Sequence, residues 1–382
     1  MDMQQYLEQM KNIQKAILEF IDNAQNEGNY QNLISFLNKE VKENQYKLRS
    51  ILNMISKISE NYHQRPDFYD KIIKIISILK IEIKQTFSNH EIFYIFKSNK
   101  RILLFLFEEN ILIPDEFIAT FISTNKYQKR SYPHFFYPEF KKFFDTTFSN
   151  KIKEEISYYI DVESDSFYQQ RKIGQNEAII CKLIREDSLN DFISYVSKNR
   201  IRFNASIDFS IFETNKFLYD KQPTIIEYTA FFGSIQIFKY LLSCEVKLKP
   251  SVWLYSIHGS NSEIIHILEE HEILPQDKIG LQIYDEPYEN CLIESIMCIN
   301  NDFANYIQSN FIKKQEKLPE YTLLNIKYFN YNGYPNDLQN EKTFYLFCKY
   351  DEPFFVDFLL KNGNIDINKV NVFHSIYFQI KF

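Results

Sequence analysis

At 382 residues the chain can hold two or three ordinary domains or one extended solenoid, and its 45% hydrophobic content is ample for a core. Only 7 glycines and 11 prolines are present, which predicts mainly helical structure with few tight turns. A net charge of −6 does not imply non-specific attraction to nucleic acid or to anionic membranes.

The cysteines and the apolar runs indicate the cellular location of the protein. Five scattered cysteines without a CxxC pair are typical of reduced thiols inside a cell. No run of about 18 uncharged apolar residues occurs. Lys11, Lys15 and Glu19 interrupt the apolar core that a signal peptide would need. We therefore expect a soluble cytoplasmic protein, with the nucleus also open.

Residues 1–122 are predicted to form consecutive helices. The first helix has an apolar seam with steps of three and four residues, formed by Tyr6, Met10, Ile13, Ile17 and Phe20. This seam is too short for a coiled coil, so it predicts a packed amphipathic helix. Asp67 is placed to cap a later helix.

An internal echo links this region to a later one. The stretch from Leu103 to Pro114 (LLFLFEENILIP) matches that from Ile264 to Pro275 (IIHILEEHEILP) in its apolar helix, glutamate pair and proline. Because proline suits the first turn of a helix, both stretches are predicted to form a helix, a turn and the start of a second helix.

Residues 123–175 form a predicted connector. Within 126–144, basic residues (Lys126, Lys129, Arg130, Lys141 and Lys142) alternate with aromatic ones (Tyr132, Phe135, Phe136, Tyr137, Phe140, Phe143 and Phe144). Such a patch can bind nucleic acid by stacking and charge. Aromatics that pack between two helical blocks explain it better, since no RNA-binding signature accompanies it.

Residues 176–368 show a repeated pattern that is clearest in 223–242, PTIIEYTAFFGSIQIFKYLL. Two short apolar helices meet at Gly233, which can adopt positive φ at the end of the first. The equivalent positions elsewhere are Asp187, Ser260, Asn300 and Asp351, separated by insertions near 199–222, 272–288 and 311–340. Such short helix pairs cannot bury their apolar faces without neighbouring copies.

The pattern in 223–242 resembles an ankyrin repeat. The residues that match are Thr224, Ile226, Ala230, Gly233, Ile237, Leu241 and Leu242, with Trp253 on a later inner helix and Leu359, Leu360 and Gly363 near the end. Ile225, Glu227 and Ser234 depart from the ankyrin pattern, which has a proline and two histidines there.

The wider chain is similar to a large, divergent ankyrin-repeat family of parasitic protists, notably trichomonads. Its members have an uncharacterised helical region before the repeats. The resemblance implies an α-solenoid that binds proteins. The tail, 369–382, lacks the further repeat that the family pattern would place there.

No catalytic, metal or cofactor motif is recognised. His266 and His271 are five residues apart and do not share a helix face, and no thiol pair completes a zinc site with His258 and Cys244. Cys291 and Cys298 are seven apart and are predicted to lie in the core. No nucleophile elbow or glycine-rich phosphate loop is present.

The sequence thus predicts an all-α protein with a solenoid of ankyrin-like helix pairs. We expect it to be a non-catalytic scaffold for unidentified protein partners, without a cofactor or a membrane span. An enzyme or enzyme subunit with a site in the N-terminal helical region remains an alternative, as does weak nucleic-acid binding through 126–144. A pocket containing acids or histidines with shifted pKa values would favour the enzyme.

Overall fold

The computed structural model describes residues 1–23, 27–43, 45–65, 67–124, 131–158, 160–275, 278–279, 282–283, 287–312 and 318–362. The chain divides into two compact units. We call residues 1–58 with 277–382 the terminal unit, and residues 59–276 the central unit. The predicted repeat region, 176–368, contributes residues to both units. The predicted segments 1–122, 123–175 and 369–382 stay predictions, and the tail lies outside the described residues.

Helices dominate from one end of the described chain to the other. The first eleven are α1 (Met3–Asp22), α2 (Glu27–Glu43), α3 (Gln45–Asn61), α4 (Phe68–Ile78), α5 (Lys80–Thr86), α6 (Asn89–Phe96), α7 (Lys100–Glu108), α8 (Glu116–Thr124), α9 (Tyr132–Phe135), α10 (Tyr137–Phe140) and α11 (Thr146–Ser157). The next eight are α12 (Asp165–Ile173), α13 (Ile179–Arg185), α14 (Leu189–Asn199), α15 (Lys216–Lys221), α16 (Ile225–Phe232), α17 (Ile235–Ser243), α18 (Val252–Gly259) and α19 (Ser262–Glu270).

A small antiparallel ladder separates these helices from the last five. Its strands are β1 (Lys278–Ile279) and β2 (Gln282–Ile283). The remaining elements are α20 (Glu289–Met297), α21 (Asn301–Asn310), α22 (Leu318–Tyr328), a 3-10 helix (Tyr331–Gly333), α23 (Glu341–Tyr350) and α24 (Pro353–Asn362). Apart from the two short strands, the predicted all-α class is confirmed for the described residues.

The terminal unit combines helices from both ends of the sequence. All five seam residues of α1 are buried, as the amphipathic pattern predicted. On the same buried face, Gln14 donates from Nε2 to the Phe329 carbonyl (2.8 Å) and accepts from the Tyr331 N–H (3.1 Å). This side chain therefore satisfies two backbone groups where α22 turns into the 3-10 helix.

A buried carboxylate lies at the centre of the same unit. Glu352, directly before α24, accepts hydrogen bonds from Ser50 Oγ of α3 (2.6 Å) and from the hydroxyls of Tyr331 and Tyr334 (2.7 Å each). Tyr6 of α1 donates to Ser50 Oγ (3.2 Å). Three segments that are far apart in sequence therefore converge on one acid. Burial is the main cause that raises the pKa of Glu352, to about 7.

Three helix–turn–helix pairs stack in order in the central unit. We call them the first pair (α13 and α14), the second pair (α16 and α17) and the third pair (α18 and α19). The first helix of the second pair packs on the first helices of both neighbours, and its second helix packs on both second helices. Each pair thus buries its apolar face against the adjacent pair, as repeat stacking requires.

The turn inside each pair has the left-handed residue that the alignment on Gly233 predicted. Asp187, Gly233, Ser260 and Asp351 all have positive φ, between 47° and 66°. The fifth position was wrong by one residue. Asn300 has a φ of −87° and caps α21, whereas Ile299 has a φ of 56°.

Two other sequence predictions need correction. Asp67 precedes α4 but makes no capping hydrogen bond, because its own φ is 64° and its carboxylate instead forms an ion pair with Lys71. The internal echo holds for the helix and the turn, since Asn110 and Glu272 both adopt positive φ. It fails afterwards, because α8 follows Pro114 but β1 is the first described element after Pro275.

Candidate binding cleft

Most of the residues predicted to define the repeat are buried. Ala230, Ile237, Leu241, Trp253 and Leu359 are almost inaccessible to solvent. Leu242 is only half-buried, which corrects its expected burial, and Leu360 is 47% exposed. Adjacent helix residues differ by about 100° in direction, so only one leucine of each pair faces the core. Gly363 lies outside the described residues.

Glu227 and Ser234, which depart from the ankyrin pattern, still make specific hydrogen bonds. Glu227 accepts from both the N–H and the hydroxyl of Thr224 (2.7 Å each) at the start of α16. It also accepts from Ser251 Oγ (2.5 Å), directly before α18. Ser234 donates to the Ile184 carbonyl of the first pair (2.6 Å). Other chemistry thus provides the contacts between pairs that the missing histidines left in doubt.

Further bonds tie each turn to the next. The Asp187 carboxylate, after α13, accepts the backbone N–H groups of Gln236 and Ile237 (3.0 Å each) at the start of α17. Asn261 of the third pair donates to the Gly233 carbonyl (3.0 Å). Because the first-turn N–H groups of a helix have no partner within that helix, Asp187 satisfies two donors of a neighbouring pair.

A close backbone approach fixes α16 against α18. A Cβ on Gly259 would lie 2.1 Å from the Ala230 carbonyl oxygen and 2.9 Å from the Gly233 nitrogen. No side chain fits there, so glycine is required at this crossing. Gly233 can be recognised from the sequence, whereas Gly259 cannot, because its role depends on a neighbouring helix.

Two loops extend from the edge of these pairs. One follows α14 and pairs with the segment before α16. Ser206 and Thr224 form an isolated antiparallel β-bridge there, and the Ile207 N–H donates to the Pro223 carbonyl (2.7 Å). The other follows α17, and its Val246 N–H donates to the Leu241 carbonyl (3.1 Å). Both loops are held by backbone hydrogen bonds, so the space between them is preformed.

That space is a cleft of about 510 Å³. The loop residues lining it are Phe203, Asn204, Cys244, Glu245, Val246, Lys247 and Lys249, and the helix starts contribute Thr224, Ile226, Glu227 and Val252. A volume of this size falls within the range of about 300–1,000 Å³ that is usual for ligand pockets. Apolar walls with a few polar groups can hold a side chain and orient its backbone.

The charges around the cleft are uneven. Glu227 is only 7% exposed and already accepts three hydrogen bonds. Lys247 and Lys249 are exposed, and neither side chain has an ion pair or hydrogen bond within the described chain. By contrast, Lys239 of α17 is paired with Glu263 of α19. The cleft therefore presents unpaired cations above an acid whose bonding capacity is largely filled.

A second group of charges is buried elsewhere in the central unit. Lys100 Nζ donates to Ser131 Oγ (2.6 Å) and to the Ile211 carbonyl (2.7 Å). Burial lowers the pKa of Lys100 to about 7, and burial also raises the pKa of Glu213. The cavity beside Glu213 and Tyr219 has about 10 Å³. This space suits one water molecule rather than a substrate, so we interpret the group as a polar core.

The other candidate chemical residues occupy structural positions. Cys291 and Cys298 are buried as predicted, and burial raises the pKa of both thiols, which disfavours the reactive thiolate. His258 packs between the rings of Phe217 and Phe231. His266 is exposed, and its Nδ1 lies 3.3 Å from Glu269 Oε2.

The aromatic and basic segment forms part of the core. Tyr132, Phe135, Phe136, Tyr137 and Phe140 are buried in and around α9 and α10, so their faces cannot stack on bases in this conformation. Lys141 and Lys142 are exposed. The other predicted cations (Lys126, Lys129 and Arg130) lie outside the described residues.

Comparisons with protein-family models, with curated proteins and with solved structures find no match to this chain. Among the described helices, none has both the length and the apolar character needed to cross a lipid bilayer.

Proposed function

We propose that this chain is a non-catalytic protein-interaction scaffold built from divergent ankyrin-like helix pairs, and that the cleft between the two loops of the central unit holds a segment of its partner. The observation that carries the proposal is the ordered stack of three pairs with preformed loops along one edge. In stacked repeats, turn tips and inner helices form an extended surface for partners.

The repeat interpretation is supported at the level of single bonds. The bonds from Ser234 to the Ile184 carbonyl and from Asn261 to the Gly233 carbonyl connect corresponding turns of consecutive pairs. In each case the residue after the left-handed position in one pair donates to the turn of the preceding pair. A repeated contact between successive units is what a solenoid needs to propagate its stack.

The test is site-specific photo-crosslinking of the full-length chain in cells that produce it. A photoreactive phenylalanine analogue replaces Phe203 in the cleft or, as a matched aromatic control, Tyr158, which is 78% exposed after α11. We expect a discrete protein adduct from position 203 that is absent from position 158. The adduct partner, purified, should bind the unmodified chain.

Two results would refute the scaffold proposal. One is the lack of any position-dependent protein adduct at 203. The other is turnover of a small molecule by the purified chain that is lost when residues lining the cleft are substituted.

A further inference from the structure

We infer that the cleft recognises an extended acidic peptide in which carboxylates flank one apolar side chain. This inference rests on the proposed function and specifies the chemistry of the partner. It depends on the distribution of charge around the cleft, the geometry of its walls and the anchoring of its loops.

The charged side chains near the cleft indicate the charge of the ligand. Two cations, Lys247 and Lys249, line the cleft. Two more, Arg200 and Arg202, precede Phe203 by three residues and by one in the sequence of the other loop. All four are exposed, and none has an ion pair or side-chain hydrogen bond within the described chain. The chain as a whole has a net charge of −6, so these unpaired cations are opposite in sign to the net charge of the protein.

The acids in the cleft do not cancel these cations. Glu227 is buried and accepts from Thr224 and Ser251, so it cannot form an ion pair with Lys247 or Lys249 without losing those bonds. Glu245 is exposed and is the remaining free acid of the lining. A ligand with carboxylates therefore gains more attraction from Lys247 and Lys249 than it loses to Glu245.

The walls give the ligand its apolar centre and its extended shape. Phe203 is half-buried, and its ring is edge-on to that of Tyr240, with 5.8 Å between the ring centroids. Val246, in the other loop, also lines the cleft. Between them lie the starts of α16 and α18, represented by Ile226 and Val252. A volume of about 510 Å³ between two loops accommodates a few residues of extended chain with one bulky side chain, rather than a folded domain.

The preformed loops favour tight binding. Backbone bonds from Ile207 to Pro223 and from Ile225 to Ala205 fix one loop before any ligand arrives. A ligand therefore does not have to order this wall, and less binding free energy is lost to conformational entropy.

The experiment selects peptides from a random displayed library on the purified full-length chain. Binders are then sorted by their loss of binding to the Lys247→Glu/Lys249→Glu variant. A matched control, Lys74→Glu/Lys153→Glu, reverses two exposed lysines on α4 and α11 whose side chains also lack a partner within the described chain. The Lys247→Arg/Lys249→Arg variant preserves the charge, and Trp253 fluorescence verifies that the third pair is folded in every variant.

We expect cleft-dependent peptides to be rich in Asp and Glu around one aromatic or branched side chain. Their affinity should fall about tenfold or more in the Lys→Glu variant, since two ion pairs are lost and repulsion is added. It should be unchanged in the control, be retained in the arginine variant, and weaken as salt rises.

Three outcomes would overturn the inference. Cleft-dependent peptides could be neutral or basic, or no selected peptide could depend on the two lysines. Alternatively, an oligo-dT strand or vesicles containing phosphatidylserine could bind with the same lysine dependence while acidic peptides do not. The scaffold proposal is judged separately, by the adduct at position 203, whatever the chemistry of the peptide.

Discussion

Replacing Glu352 with glutamine should stabilise the terminal unit relative to the wild-type protein, and this gain should be larger at alkaline pH than at acid pH. The Glu352 carboxyl group has a pKa of about 7 in the folded protein, against 4.5 for an unperturbed glutamate, and burial is the largest cause of this increase. The bonds from Ser50, Tyr334 and Tyr331 favour the ionised form and lower the pKa, whereas Asp351 raises it. The net shift shows that burial dominates.

Proton binding to Glu352 determines how the free energy of unfolding changes with pH. Between pH 4.5 and 7 the folded protein holds a proton on Glu352 that the unfolded chain has released, so the free energy of unfolding falls as pH rises. This contribution to stability is fully present below the unfolded pKa and is lost by the time pH passes the folded pKa. The difference is about 3 kcal/mol in total, most of it between pH 5 and pH 8. Glutamine does not ionise, so the variant should not lose this amount.

Hydrogen exchange measured by mass spectrometry can resolve the effect by unit. After correction for intrinsic exchange, peptides from α3 and α24 should be protected by about two orders of magnitude more in Glu352→Gln than in wild type at pH 8. At pH 5 the gain should be much smaller. Trp253, the only tryptophan, belongs to the central unit, so its fluorescence provides an internal control that should not change. Glu8→Gln, an exposed substitution in α1, is the matched variant.

Equal protection gains at pH 5 and pH 8 would refute the reasoning, because they would show that Glu352 does not change protonation between these values. A loss of protection at both values would show that the three hydroxyl donors need a carboxylate acceptor.

Three further predictions concern the central unit, and urea unfolding followed by Trp253 fluorescence measures all of them. Leu241→Ala should lower the free energy of unfolding by about 2–5 kcal/mol, because it leaves a cavity between helix pairs, while Leu242→Ala should cost clearly less; equal costs would contradict the packing. Gly259→Ala should destabilise by more than the usual helix preference for alanine can offset, since the new methyl group would overlap the Ala230 carbonyl, and a stabilised variant would refute the close approach. Glu272→Gly should stabilise by about 1 kcal/mol, because Glu272 has a φ of 53°, and no gain would show that this turn is unstrained.

The sequence was informative where local chemistry decides the structure. The pattern of apolar residues in α1 predicted its buried seam, and the alignment on Gly233 predicted left-handed turns at Asp187, Ser260 and Asp351. Both features depend on residues within one or two helical turns of each other. A single sequence contains that information without reference to any partner segment.

The contacts between distant segments could not be predicted in this way. Glu352 has no neighbours in sequence that indicate its burial, and its donors come from α3 and from the turn after α22. Gly259 resembles an ordinary helix end until Ala230 is placed against it. The cleft likewise forms only when the loop before α15 and the loop before α18 are brought together.

The misplaced turn at Asn300 shows which local signal was overlooked. The alignment placed Asn300 at the position equivalent to Gly233, but asparagine is also a strong helix N-cap. Its side chain accepts from the Phe303 N–H (3.1 Å), and the left-handed position passes to Ile299. In the second and third pairs, too, a left-handed residue is followed directly by the residue that precedes the next helix, namely Ser234 and Asn261.

Three of the turns share a two-residue pattern. Gly233, Ile299 and Ser260 adopt positive φ, and the residue after each caps the following helix or bonds to the preceding pair. Ser188, after Asp187, makes no capping bond. At Ile299 the strain of a β-branched residue in the left-handed region is accepted so that Asn300 can cap α21. At this turn, hydrogen bonding by Asn300 rather than backbone freedom decides where the helix pair turns.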